Sequence, residues 1–180
     1  MKAYYNDTTY AILGILTTEY RSGYEIKQFI DNSLNHFWKI SYGQIYPTLK
    51  RLEQDGLATI DITAHSGRPD RKAYHLTQKG KEILREWLEK PIQQLPVERN
   101  EVLLKLFFAN HQTPAQTTHL LKDYHQKLIE LYQTYEGIEE IISAHDSNLK
   151  DARYWLFTLD YGKRTTEAAI AWCEATLKEL

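Results

Sequence analysis

In the stretch SYGQIYPTLKRLEQDGL (Ser41–Leu57), the side chains able to do chemistry sit off the apolar stripe. Tyr42 and Tyr46 carry hydroxyls, Gln44 an amide that both donates and accepts, and Lys50 a cation. Ile45, Leu49 and Leu52 recur at i, i+4 and i+7, so a helix here turns them to a core. At about 100° per residue, Gly43, Pro47, Lys50 and Gln54 fall opposite that stripe, with Tyr46 along one edge and Gln44 and Arg51 along the other. An amide, phenols and a cation on one face can contact phosphate oxygens and base edges of a duplex. Gly43 and Pro47 lack bulk, so backbone can come close there. The same residues would also make an ordinary solvated face, and the neighbouring elements must decide between the two. Pro47 removes the bond to the Gly43 carbonyl, at a cost of about 3 kcal/mol inside a helix. A tightened or kinked first turn is expected.

A second cluster lies in AHSGRPDRK, where Arg68, Arg71 and Lys72 surround a turn and could position phosphates. Asp70 sits among them and would weaken such a contact. The seven histidines, His111, His119, His125 and His145 among them, give no H-E-x-x-H or similar ligand pair. There is no Ser-His-Asp spacing, phosphate-cradling glycine loop or nucleotide fingerprint, which argues against an enzyme. Cys173 is the only cysteine, so an intrachain disulfide and a cysteine-rich zinc site are excluded. No cofactor is expected.

The elements that must hold these groups follow from patterning. Thr8–Leu16 is dense in apolar residues, as in a short buried helix. Ser22 and Glu25 form an S-x-x-E capping box ahead of a helix with Ile26, Phe29 and Ile30 on one face. NSLNHFWK reads as a turn carrying Phe37 and Trp38. Ser41 and Gln44 form a second box, S-x-x-Q, opening the third helix, and DGL supplies its glycine stop. The period then changes to two: Ile60 and Ile62 alternate with polar residues, and Ala73–Leu76 reads as the return strand. Thr77 can cap a fourth helix with the stripe Ile83, Leu84, Trp87 and Leu88. Pro91 and Pro96 bracket IQQL, the expected linker between domains 1–90 and 91–180.

The second half reads as helical throughout. Val102, Leu103, Leu106 and Phe107 stripe one helix. Thr113, Pro114 and Gln116 give an N-cap, a first-turn proline and a capping-box glutamine. Leu121, Tyr124, Leu128, Leu131, Tyr135 and Ile138 then alternate at three and four, the period of a coiled-coil seam. They would serve either across a dimer interface or in the core beneath it. A last helix carries Trp155, Leu159, Gly162, Thr166, Ala169, Cys173 and Leu177 near one face, with small residues that permit a close crossing.

Net charge is −2, unevenly spread: 13 Lys/Arg against 11 Asp/Glu in residues 1–90, and 9 against 13 in residues 91–180. A weakly basic half joined to an acidic one suits a protein of which one half touches polyanion. No run nears the roughly 18 apolar residues of a membrane span, and MKAYYNDTTYAILGIL has no cleavage-site pattern. A cytoplasmic protein with no membrane partner is expected.

Three helices and a two-stranded ribbon are the order of a winged helix-turn-helix, whose third helix enters the major groove. The expected fold is thus mainly α, an N-terminal winged helix-turn-helix with a β wing and an all-helical C-terminal dimerisation domain. SGYEI, FWKISYGQIYPTLKRLEQDGL, GRPDRKAYHLTQKG and EVLLKLFF together resemble the PadR family of bacterial transcription regulators, in its larger subfamily. The resemblance implies a homodimer, repression of nearby operons at a double-stranded DNA operator and, for some members, release by a small aromatic effector. It places DNA-reading positions on Ser41, Gln44, Tyr46, Pro47 and Lys50, with Tyr24 on the second helix. Phe37, Trp38, Trp87, Phe107 and Phe108 could line an aromatic site at the junction of the halves or simply close a core. The alternative function is a winged-helix module that contacts protein and not DNA.

Overall fold

A computed structural model describes residues 5–63, 71–146 and 150–180. The chain divides into two compact units, Met1–Leu95 and Pro96–Leu180, and the exposed segment 91–99 carries the boundary.

The first unit runs α1 (Asp7–Ile15), α2 (Gly23–Asn32), a 3-10 turn (Leu34–His36), α3 (Tyr42–Gln54), β1 (Ala58–Thr63), β2 (Arg71–Leu76) and α4 (Gln78–Leu88). Asn6 caps α1 by accepting from the Thr9 amide at 3.0 Å. The box at α2 forms as expected: Ser22 Oγ accepts from the Glu25 amide, and Glu25 Oε2 accepts from the Ser22 amide at 2.8 Å. Ile12, Leu13, Ile26, Ile30, Leu49, Leu52 and Leu57 are wholly buried. Each stabilises the unit by roughly 1.5–3 kcal/mol relative to an exposed side chain. Trp87 closes the far side by stacking on Tyr10, with ring centroids 4.8 Å apart and planes at 8°. Leu88, expected in the same stripe, is exposed.

α3 ends in a Schellman motif. The Leu57 amide donates to the Leu52 carbonyl at 2.8 Å and the Gly56 amide to Glu53 at 2.9 Å, with Gly56 at φ +68°. The tight stop sends the chain into β1, which pairs antiparallel with β2, Ile60 facing Tyr74 and Ile62 facing Lys72. The return strand therefore starts at Arg71, two residues before the expected Ala73, because Arg71 and Lys72 still find partners in Thr63 and Ile62. The Tyr74 amide donates to the Arg21 carbonyl at 2.9 Å and ties the ribbon base to the segment entering α2.

The second unit comprises α5 (Glu101–Phe107), a 3-10 turn (Ala109–His111), α6 (Pro114–Ile141) with a π-helical end (Ile142–Asp146), and α7 (Ala152–Leu177). Thr113 and Gln116 form the expected capping box. α6 and α7 lie antiparallel, as Tyr135 beside Gly162, Lys163 to Glu139 and Tyr132 to Glu167 show. Leu121, Leu128, Tyr135 and Ile142 are buried at sevenfold spacing on α6, and Ala152, Leu159, Thr166 and Cys173 on α7. A seven-residue repeat on both helices is what keeps two helices in register along one seam. Gly162 lets them approach: a Cβ there would lie 3.1 Å from the Tyr135 ring. On α5, Val102 and Leu106 pack inward, whereas Leu103 and Phe107, expected on the same stripe, are exposed. No helix among the described residues is long and apolar enough to cross a membrane.

Candidate nucleic-acid interface

Ile45, Leu49 and Leu52 anchor α3 in the core at 1% exposure or less, which turns Tyr42, Gly43, Gln44, Tyr46, Pro47 and Lys50 to solvent. Helical structure continues through Pro47 without a break. Ser41 stands at the N-cap, yet its side chain makes no capping bond, and the expected S-x-x-Q box does not form. The backbone bond of the first turn is present, the Gln44 amide donating to the Ser41 carbonyl at 2.8 Å. With no capping bond made, the Ser41 hydroxyl and the Gln44 amide group face solvent at the positive end of the helix dipole. Lys50 makes no ion pair among the described residues.

Tyr46 is 63% exposed, and its ring passes directly over Gly23, the first residue of α2. It also lies near the ribbon base: burial first, then Glu53 and Tyr46, push the Tyr74 hydroxyl above its ordinary range. Tyr42 is held differently. Its hydroxyl donates to the Asp31 carboxylate of α2, and Lys27 Nζ sits 4.3 Å from its ring centroid. The bond to Asp31, followed by desolvation, raises the Tyr42 pKa. Tyr24 is exposed on α2, where its hydroxyl accepts from Gln28 Nε2 at 3.1 Å.

In the ribbon, Lys72 is exposed beyond Tyr74, on the same face of β2. Arg71 is the first residue of β2 rather than part of the turn, and its side chain lies outside what is described. Arg68 also lies outside the described residues.

Sequence reasoning missed Gly23, Lys27 and Asp31. The signal for two of them was present: Tyr24, Lys27, Gln28 and Asp31 recur at i, i+3, i+4 and i+7, opposite the Ile26/Ile30 stripe. The result is one exposed surface built from the polar faces of α2 and α3, with the ribbon beside it. It offers hydroxyls, two amides and two lysines, and no three metal-ligating side chains converge among the described residues.

The comparisons with known proteins agree with this layout. Residues 12–86 match the family described as transcriptional regulator PadR-like, and residues 98–180 match the virulence activator alpha C-terminal family. The negative transcriptional regulator PadR of Bacillus subtilis is 30% identical over 174 residues, covering 93% of this chain and 94% of that one. The chain belongs to the PadR-like family of transcriptional regulators.

Two solved structures of the Bacillus subtilis protein extend the likeness to the whole PadR-like architecture. PadR in complex with operator DNA matches with a TM-score of 0.88 at 26% identity, covering 99% of this chain and 100% of that one. PadR in complex with p-coumaric acid matches at 0.78 and 27% identity, over 95% and 96% of the two chains. PadR-like proteins are transcriptional regulators and not enzymes, so the polar α2–α3 surface is read as a binding face.

Proposed function

We propose that this PadR-like chain is a repressor that binds a pseudo-palindromic operator as a homodimer. Residues 1–90 bind DNA and residues 91–180 dimerise. The observation that carries the reading is the outward face of α3, with Ser41, Gln44, Tyr46, Pro47 and Lys50 exposed on a helix fixed by three buried side chains. Tyr24 adds to that face from α2, and Arg68, Arg71 and Lys72 hold phosphates. The likeness to a negative regulator solved with operator DNA supports the same assignment.

Dimerisation is supported by apolar surface that the chain leaves uncovered. Leu103, Leu104, Phe107 and Phe108 are exposed around α5, as are Tyr154, Phe157 and Tyr161 on α7. Phe107 and Phe108 meet edge to face, as do Tyr154 and Phe157, and exposed apolar clusters mark interaction sites. Leu121, Leu128 and Tyr135 are buried against α7 of their own chain, so they supply the core beneath the interface, with Tyr124, Leu131 and Ile138 half-buried beside them. Two-fold symmetry would then present two α3 helices to half-sites about one DNA turn, or a multiple, apart.

A small aromatic effector completes the proposal, supported by the likeness to PadR solved with p-coumaric acid. Trp87 is committed to the Tyr10 stack, whereas Phe37, Trp38, Phe107 and Phe108 remain exposed in their own units. A ligand that prefers one spacing of the two α3 helices would change operator affinity by about 5- to 150-fold.

Fluorescence anisotropy with DNA from upstream of the protein's own gene tests the reading, followed by titration of hydroxycinnamates into the complex. Saturable binding that weakens steeply with salt, and release by a planar aromatic acid, are expected. Absence of binding at low salt would overturn DNA recognition. Binding unaffected by any aromatic acid would overturn the effector.

A further inference from the structure

Gly23 is the first residue of α2, buried, and adopts no positive φ. Its backbone would therefore accept alanine, which is the better helix former. What forbids a side chain is space: a Cβ on Gly23 would lie 2.6 Å from Tyr46 Cε1, 2.9 Å from Cζ and 3.2 Å from the hydroxyl oxygen. No ordinary Cβ contact is that short. The glycine is thus a seat for the Tyr46 ring.

The seat holds the ring, while the hydroxyl end lies toward Tyr74 at the ribbon base. Tyr46 is 63% exposed, and among the described residues its hydroxyl makes no hydrogen bond. We infer that Gly23 is a positioning residue for DNA recognition, fixing the Tyr46 ring across the start of α2 so that its hydroxyl meets the operator in one orientation. This rests on the reading of α3 as the DNA-contacting helix. A ring already seated loses less rotational freedom on binding than one that samples several rotamers, so the seat adds to affinity without touching DNA. Because the Tyr46 ring is largely in solvent, it can swing aside when a methyl group is introduced. The fold then survives while the hydroxyl is misplaced.

The full-length chain is compared as wild type, Gly23→Ala, Tyr46→Ala and the double variant, against DNA from upstream of its own gene and against an unrelated duplex. Gly14→Ala serves as a control, since a Cβ at Gly14 meets nothing within 4 Å. The expected result is a loss of specific affinity in Gly23→Ala of about 2- to 13-fold, the range for one hydroxyl hydrogen bond. Binding to unrelated DNA and the melting temperature stay near wild type, and Gly14→Ala binds as wild type. In the Tyr46→Ala background the Gly23 substitution has no further effect. Tyr46→Ala impaired but Gly23→Ala at wild-type affinity, or an undiminished Gly23 effect without Tyr46, overturns the positioning role alone. Wild-type affinity in Tyr46→Ala overturns the reading of α3 through this residue, and the inference with it.

Discussion

The Tyr42 hydroxyl donates to the Asp31 carboxylate, and the same carboxylate oxygen accepts from the Asn35 amide at 2.9 Å. The first residue of α3 is thereby tied to the end of α2. Tyr42 looked from sequence like one more hydroxyl for DNA, but its donor is already engaged within the protein. Tyr42→Phe should therefore reduce operator affinity less than Tyr46→Phe, whose hydroxyl has no such partner among the described residues. Paired anisotropy titrations decide it: a larger loss in Tyr42→Phe would show that Tyr42 leaves Asp31 to contact DNA.

The tyrosines also set an alkaline limit. Bonds to carboxylates raise the pKa of Tyr42 and Tyr132, and burial raises Tyr5, Tyr74 and Tyr135, above the ordinary 10.0. A folded-state pKa above the unfolded value contributes stability that is complete below pH 10 and is lost as pH rises through the folded pKa. Denaturation midpoints should accordingly be insensitive to these groups at neutral pH and fall above about pH 10. Phenolate absorbance should show a late-titrating class in the folded protein, reduced by one tyrosine in Asp31→Ala. A single uniform titration would contradict the bonds described.

The α6–α7 seam gives a stability prediction. Leu121 is wholly buried and Leu128 nearly so, and truncating a leucine of this kind to alanine costs about 2–5 kcal/mol. Leu121→Ala should lower the denaturation midpoint of the second unit well below that of an exposed-site control such as Lys122→Ala. Equal midpoints would mean that the seam is not the core.

The exposed residues of α5 separate folding from assembly. Leu103→Glu with Phe107→Glu alters two side chains that are 49% and 83% exposed, so helix content should persist. Light scattering should show the dimer weakened, and operator affinity should fall with it. A dimer unchanged at micromolar concentration would move the interface elsewhere.

Much of this was legible locally. The boxes at Ser22/Glu25 and Thr113/Gln116 formed, but the same pattern at Ser41/Gln44 did not, and both of those side chains stand in solvent. A capping pattern is permissive, and tertiary surroundings decide whether the bond is made. The seam from Leu121 to Ile138 announced a paired helix, yet a heptad carries no mark of whose helix completes it; here α7 of the same chain does. The length of β2 depended on pairing with β1 across the ribbon. Gly23 was invisible for a related reason, since only the packed structure brings it under a ring 23 residues later in the chain.

In the proposed function the outward face of α3 reads DNA. Its most direct test is the salt dependence of affinity for the DNA upstream of the protein's own gene, in wild type, Tyr46→Ala and Lys50→Ala. Both side chains lie off the buried stripe, so melting temperatures should stay near wild type. Tyr46→Ala should lose discrimination against unrelated DNA, and Lys50→Ala should flatten the slope of log affinity against log salt by about one unit. Wild-type affinity, discrimination and slope in both variants would contradict the account.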